Sequence, residues 1–594
     1  MSSKLRTRAA VTAGLCAALT LTGAAPAFAS PTATESAPVS ASDAPAGAVD
    51  TWDGSVDTSW YSAADPKTEY ALSSAEQLAG LAELVNEGNS FKGATIKLSS
   101  SVDLASREWT PIGAGTRSGS SYTSDSHPFK GSFDASGTVI SGLALTTAAN
   151  NGNYALGLFG IVAGGSISNV VLENVNLNSS SSNLMGAVAG MICEGGSVAG
   201  CQVSGSVTGN DGVAGIVGRM IKHGTVTGCI NTASVQAKTG GCAGIVAKAY
   251  YTSSSQDEVM VIEDCENRGA ITNEGYHAAG IAALSAADVL HCANYGAIVG
   301  GNTSGGIVAE QVNRGAINSC ANEATGTVAG GANAAGIVGW IRYQNDVSSY
   351  PQSEPIAVTG NINKAVVGKS GDGEGLGWGG IVGTVYNCAT VAQNENQAGS
   401  ITGGAFAAGV VGNLQKNEDN LYYGDGVVEV ENNVSTTPME AITGKCKDEF
   451  AYKNDTSFSV SENSGAWIGT IGSEKIATLP AALELAKAQK GDVAITLSAD
   501  VDLTPYVAEN GTMKLPGADL SSSEISKLTI KGGAQGVKLV SGVDGNGIDG
   551  APYCPVLSIK LPSASTLTIS NLVIPNDLGF DSPGAAVTVE GCEL

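Results

Sequence analysis

The sequence predicts an all-β fold, a right-handed parallel β-helix with a short N-terminal capping helix, followed by a second, smaller β-helix. Three observations lead there. A phrase of one small, two apolar and one small residue recurs at Gly157, Gly186, Gly215, Gly244, Gly280, Gly306, Gly336, Gly380 and Gly409. Steps of 26 to 44 residues between copies mark a stacked, quasi-one-dimensional fold. A second phrase, Cys-x-Asn-x-small-x-apolar, keeps step with the first: Cys229, Asn231, Ala233, Val235, then Cys265, Asn267, Gly269, Ile271, then Cys292, Asn294, Gly296, Ile298. Finally, the repeat units are rich in Gly, Val, Thr, Ser and Asn and show no apolar spacing of 3.6 residues, so a helical repeat fits badly.

Alternation at every second residue points the second phrase to one side of an extended chain, and its small and apolar residues make that side the interior. Cys320, Asn322 and Ala324 repeat it with two extra residues before Val328. Val203 stands where Asn is expected after Cys201, and Asn361 and Asn394 replace Cys before Asn363 and Asn396. The Asn is expected at a bend, where it tolerates left-handed angles and its amide bonds the coils above and below. Cys229, Cys265, Cys292 and Cys320 should stack in one column with Cys201. Stacked neighbours have parallel Cβ vectors and poor disulfide geometry, so the column reads as buried small hydrophobes. Cys193 with Cys201, and Cys229 with Cys242, are the pairs to check for bonding.

The elements follow in order. Residues 1–29 read as a secretory signal: Lys4, Arg6 and Arg8, an apolar run, then Ala27-Phe28-Ala29. Residues 30–50 form a Pro/Ala/Ser/Thr linker expected to be disordered. Residues 51–130 hold the cap and first strands. A helix is predicted over Ser73–Asn86, with Ser73 and Glu76 as capping box and an apolar stripe of Leu78, Leu81, Leu84 and Val85. Residues 131–440 are the repeats. Their two longest interior steps imply outward loops at about Ala249–Glu258 and Arg342–Pro355, where such a fold usually binds. Residues 441–594 restart the order of helix (Thr478–Lys490), strand and Val-Asp-Leu seen at Ser73–Leu104. The chain stops at Leu594 inside a predicted strand, so this second β-helix is expected to be truncated.

A net charge of −25 over 594 residues argues against nucleic acid or an anionic membrane as partner. No later apolar run reaches the 18 residues of a membrane span.

The stretches Tyr70-Ala-Leu-Ser73, Val102-Asp103-Leu104, Trp109-Thr110-Pro111-Ile112-Gly113, Phe129-Lys-Gly131-Ser-Phe133-Asp134 and Gly157-Leu158-Phe159-Gly160 resemble, in that order, the opening of bacterial GLUG-repeat surface proteins. The later Gly-Ile-Val-Gly phrases are similar to their internal repeats, and the likeness covers about residues 68–434. Ala135 departs from the Gly usual after Phe-Asp. The resemblance implies a secreted or wall-associated, adhesin-like protein without catalytic residues in its repeats. It also implies a second possibility, because some immunoglobulin-A metallopeptidases carry such repeats beside a protease domain.

Chemistry is sparse. His127, His223, His277 and His291 lack the His-Glu-x-x-His spacing of that protease class. A β-helix hydrolase or lyase would need carboxylates clustered on adjacent coils. Glu263, Asp264 and Glu266 cluster, with Glu274 one strand on and Arg268 and Arg314 after Asn267 and Asn313, and these read as solvated surface charge. Asp544-Gly-Asn546-Gly-Ile-Asp549 lacks the further acids of a calcium loop. Tyr250, Tyr251, Tyr343, Tyr350, Tyr422, Tyr423, Trp340 and Trp378 lie in or beside the longer excursions, where aromatics bind sugars or cover the solenoid. The expectation is a monomeric binding protein with no catalytic, cofactor or metal site, contacting host glycan or surface protein. A carbohydrate-active β-helix enzyme and the repeat region of a larger metallopeptidase are the alternatives.

Overall fold

The computed structural model describes residues 49–115, 117–118, 121–122, 124, 126–146, 154–180, 184–250, 259–323, 327–342, 355–371, 375–386, 389–415, 428–448, 450–453, 459–461, 463–502, 519–532, 537–540, 557–570, 572–573 and 587–593. The signal, nearly all of the linker, most of both outward loops, the Gly-rich turn at 544–549 and Tyr251, Tyr343, Tyr350, Tyr422 and Tyr423 lie outside them. The described residues belong to one compact unit.

The fold is a parallel β-helix. One coil consists of Ser197–Ala199, Gln202–Gly209, Val213–Ala214 and Val217–Met220, and Thr225–Thr227 begins the next. Each segment pairs in parallel with its copy one coil on: Val198 with Val226, Val203 with Asn231, Ala214 with Ala243, Val217 with Val246. The solenoid therefore has four faces, taken here in chain order. On the first, Val198, Val226, Ile262, Val289, Ile317, Val358, Val391 and Val430 stack in register, all fully buried. β-Branched side chains suit such a column because they pack on a pleated surface with little rotamer freedom to lose.

The two sequence phrases keep step for a steric reason. A Cβ on Gly215 would stand 2.2 Å from Asn231 Oδ1, one on Gly244 2.2 Å from Asn267 Oδ1, and one on Gly380 2.2 Å from Asn396 Cγ. Gly280, Gly306 and Gly336 face Asn294, Asn322 and Asn363 in the same way. The glycine of one coil meets the asparagine of the next across the interior. The register also divides the repeat glycines. Gly215 to Gly409 share one corner between the third and fourth faces, with Ala214, Ala243, Ala279, Gly305, Ala335, Gly379 and Ala408 just before it. Gly186 pairs instead with Ala214, and Gly157 takes the same place one coil earlier. The coils that follow these two hold Leu172 and Val203 where the later ones hold Asn, so that corner has no amide to clear.

At the start, strands Glu69–Leu72 and Thr95–Leu98 flank helix α1, Ala75–Asn86. Its cap is Ser74, whose hydroxyl accepts from Gln77 N–H at 3.3 Å, one residue later than the Ser73/Glu76 box. Gln77 makes the reciprocal bond, accepting from Ser73 N–H at 2.8 Å. Leu78, Leu81 and Val85 join the core of the first coils.

In the C-terminal region Thr478 caps helix α2, Leu479–Lys487. Strands Lys490–Leu497, Glu524–Gly532, Leu557–Ser570 and Val587–Glu593 stack in parallel, as do Val501–Asp502, Val537–Val540 and Leu572–Val573. An antiparallel hairpin, Gly469–Ile471 with Glu474–Ile476, precedes them. Alternation alone could not separate that hairpin from another coil. Trp467 Nε1–H donates to Glu395 at 2.9 Å, and Lys475 reaches the same oxygen at 3.3 Å, which ties this region to the preceding coils. No helix among the described residues is long and apolar enough to cross a membrane.

Candidate functional site

The repeated Asn and Cys residues lie inside the solenoid. The carboxamides form a continuous ladder in which Nδ2–H of each donates to Oδ1 of the next: Asn231 to Asn267 (2.8 Å), Asn267 to Asn294 (2.8 Å), Asn294 to Asn322 (2.9 Å), Asn322 to Asn363 (3.0 Å) and Asn363 to Asn396 (3.0 Å). Asn396 ends it on Thr437 and Ser435. The second Nδ2 hydrogen of Asn231, Asn267, Asn294 and Asn363 goes to the carbonyl two residues on. All six are fully buried, and burial without such partners would cost several kcal/mol (about 1–3 per unmade bond). None has a positive φ, so the bend owes nothing to left-handed backbone at these residues.

Cys201, Cys229, Cys265, Cys292 and Cys320 stack beside this ladder as free, buried thiols. Neither Cys193 with Cys201 nor Cys229 with Cys242 is bonded, and Cys193 belongs to a separate apolar cluster with Tyr154, Leu184 and Met191. From Cys229 to Cys320 each Sγ lies 3.4–3.9 Å from a carbonyl of the preceding coil. Burial pushes the Cys292 and Cys242 thiols well up, so they stay protonated and unreactive. These residues have structural roles.

The place with accessible chemistry is outside. Four residues after each repeat glycine from Gly215 on stand Arg219, Lys248, Leu284, Glu310, Trp340, Thr384 and Asn413, paired in register along the fourth face. The corner is tight enough that a Cβ on Gly218 would stand 2.6 Å from the backbone N of Met185 on the third face. Side chains of the two faces therefore meet along a groove. Thr384 Oγ1–H donates to Asn333 Oδ1 at 2.6 Å, and His277 Nε2 lies 2.5 Å from Glu310 Oε2.

Glu310 is the centre of the charged stretch. Its side chain is fully buried, and Arg342 Nε–H donates to its other oxygen at 2.5 Å. Burial alone would raise its carboxyl, but His277 and then Arg342 hold it below the usual carboxylate range. Two coils away stands Lys248: burial likewise opposes ionisation of Asp211, and Lys248 at 2.6 Å holds it low. The cleft between these pairs, about 340 Å³, is lined by Lys248, Tyr276, His277, Glu310, Trp340 and Arg342. Arg342 lies 4.4 Å over the Trp340 ring, and Tyr276, 59% exposed, forms the rim.

Sequence reasoning saw His277 only as a histidine without its motif and Trp340 only as a loop aromatic. It missed Glu310 and Arg342. A signal was present in the residue four beyond each glycine, which gives Arg219, Lys248 and Glu310 on stacked coils. The other candidates stay apart from the groove. His291 Nδ1 lies 3.5 Å from Glu263 and 3.8 Å from Asp264 on the exposed surface, and Glu266 pairs with Arg268, which covers Tyr295. Trp378 is fully buried against Ala334, Val367 and Ile401 and offers no platform.

No family model matches the chain, and no curated protein matches it. Among solved structures, one described as a "putative immunoglobulin A1 protease" from Bacteroides ovatus is similar at 17% identity and a TM-score of 0.32, over 65% of this chain and 84% of that one. Likeness at that level carries no argument about fold or activity.

Proposed function

We propose that the protein is a secreted or cell-wall-associated, adhesin-like binding protein that holds a host glycan or surface protein along the groove between its third and fourth faces. It acts as a monomer and without catalysis. One observation supports this most: the carboxylates of the groove are already engaged. Arg342 and His277 lie against the two oxygens of Glu310 and the group is fully buried, while Asp211 is spent on Lys248. A general acid or base must reach the proton it moves, and neither group presents a free oxygen to a substrate. What faces outward is an aromatic rim and hydrogen-bond donors, which suit recognition. The acidic surface keeps nucleic acid and anionic membranes away.

A glycan and mucin array, run beside a depolymerisation assay on the same purified protein, tests the reading. Retention of a glycan or glycoprotein with its chain length unchanged is expected. Chain shortening that co-purifies with the protein and disappears in Glu310→Gln would replace it with a carbohydrate-active enzyme.

A further inference from the structure

We propose that the cleft at Glu310 recognises a carboxylated sugar, a uronate or sialate unit, through the guanidinium of Arg342. This rests on the glycan-binding reading above and names its ligand class.

The inference comes from an imbalance of donors and acceptors. The carboxylates of the cleft are shielded: Glu310 Oε2 lies 2.5 Å from His277 Nε2 without a geometrically formed hydrogen bond, and the other oxygens are bonded. Glu310 accepts from Arg342 and contacts His277, and Asp211 accepts from Lys248 and from Gly241 N–H at 3.1 Å. Donors remain. Arg342 uses only Nε in its bond to Glu310, so its two terminal amino groups carry no partner among the described residues, and the side chain is 30% exposed. Trp340 lines the same cleft, and its buried Nε1–H has no partner there either. Asn302, also on the wall, accepts from Thr303 through Oδ1 at 3.0 Å, and its Nδ2 has no partner among the described residues. A ligand that satisfies these groups brings acceptors, and the fork of Arg342 matches a carboxylate in particular.

Arg342 is also pre-organised. Glu310 holds it from one side and the Trp340 ring lies beneath it, so little side-chain entropy is lost on binding. Glu310 is fully buried and its second oxygen lies against His277 Nε2, so it presents no oxygen to a bound anion. The rest of the cleft fits the saccharide. Gly241 occupies the position that His277 takes one coil later, leaving the floor free of a side chain, and the exposed Tyr276 ring and Leu284 present apolar surface to a pyranose face.

Calorimetric titration of the full chain with methyl glucuronide and with N-acetylneuraminate, against methyl glucoside and acetate, tests this. The acidic sugars should bind at least about tenfold more tightly than methyl glucoside and than acetate, as expected for one charge-assisted bidentate contact, with affinity falling as salt rises. Arg342→Gln should erase that preference while its circular dichroism matches wild type. Should Arg342→Gln fail to fold, Asn302→Leu and Tyr276→Ala must each weaken acidic-sugar binding. Equal binding of the glucoside, equal binding of acetate, or a folded Arg342→Gln that keeps the preference overturns the proposal. An array that retains only neutral glycans also overturns it while leaving the binding-protein reading intact. An array that retains nothing removes both.

Discussion

Between Cys229 and Cys320 the inward residue at the corner after the first face is a thiol, and from Asn361 to Asn463 it is a carboxamide. Both donate to the same place. Cys229, Cys265, Cys292 and Cys320 reach the carbonyls of Val198, Val226, Ile262 and Val289; Asn361, Asn394, Asn433 and Asn463 reach those of Ile317, Val358, Val391 and Val430. The carboxamides do more. Asn361 Nδ2–H donates to Asn394 Oδ1, Asn394 to Asn433 and Asn433 to Asn463, each at 2.9 Å, and each Oδ1 also takes the backbone N–H of the coil before. A thiol is a weak donor and a soft filler. The first half of the column is thus held by packing and weak thiol contacts, among them Cys229 N–H to Cys265 Sγ at 3.5 Å, and the second by a hydrogen-bonded network whose members depend on one another. In the thiol half the network duty falls on the neighbouring Asn231–Asn396 ladder.

The largest expected effect separates the two residues of one phrase. Asn294→Ala removes the acceptor of Asn267, the donor to Asn322 and the partners of Gly296 N–H and C=O, all buried. At about 1–3 kcal/mol per stranded group, and with partial relaxation, a loss of about 3–5 kcal/mol is expected. Cys292→Ala, two residues away, forfeits a thiol contact and a small volume, for about 1 kcal/mol. Urea midpoints of the two variants against wild type check this. Similar midpoints would mean that the ladder is no more than packing.

Gly280→Ala comes next. Its Cβ would stand 2.3 Å from the carbonyl oxygen of Gly306 and 2.5 Å from Asn294 Cγ, so both the corner and the ladder must yield. Overpacking of this kind costs about 1–3 kcal/mol. Gly186→Ala is its partner, since Gly186 lies one register position away and is hemmed by Ala189 O at 2.4 Å and Gly218 N at 2.5 Å rather than by an amide. Amide exchange read by mass spectrometry should show loss of protection at Asn267–Asn322 in Gly280→Ala, and at Ser166–Met220 in Gly186→Ala.

The thiol half should also answer to alkali. Burial raises Cys292 above its unfolded value of about 8.5, so the folded state keeps a proton that the unfolded chain gives up. Its stabilising contribution is complete below about pH 8.5 and declines by about 1.4 kcal/mol per pH unit as pH rises toward the folded value. Melting temperatures from pH 7 to 10 should fall for wild type and fall less steeply for Cys292→Ala. Parallel curves would show that this thiol is not held protonated.

How much of this was legible in the sequence follows from what kind of information each feature needs. Stacking was readable because a solenoid writes its period into the chain, and inward side chains repeat with it. The amide ladder was half readable. Its Asn residues stand out, but left-handed backbone was offered as a reason for them, and the structure shows only hydrogen bonding. The pairing of Gly244 with Asn267 and of Gly280 with Asn294 was out of reach, because the intervening length varies and only the folded coil brings them together. The groove was out of reach for the same reason. His277, Glu310 and Arg342 come from three successive coils and share no motif, although the periodic position of Lys248 and Glu310 was there to be noticed. The hairpin at Gly469–Ile476 was hidden because pairing direction leaves no mark on alternation.

The smallest effect decides what the carboxamide adds. Cys320 is paired with the first amide of the second half, and its backbone N–H already donates to Asn361 Oδ1 at 2.9 Å. Cys320→Asn would extend the run upward, with Nδ2 donating to Asn361 and to Val289 O, which the thiol now approaches at 3.4 Å. The gain is one network bond against a slightly larger side chain, so stability should stay within about 1 kcal/mol of wild type. Asn394→Cys is the reverse exchange in the middle of the amide run, and there Asn361 Nδ2 loses its acceptor and Asn433 Oδ1 its donor. That change should cost about 2 kcal/mol. The inequality is the informative quantity: a thiol is interchangeable with an amide at the edge of the network, where nothing yet depends on it, and not within it. Equal urea midpoints for the two variants would show that each coil holds its corner residue independently, and the contrast between the halves would then be one of composition alone.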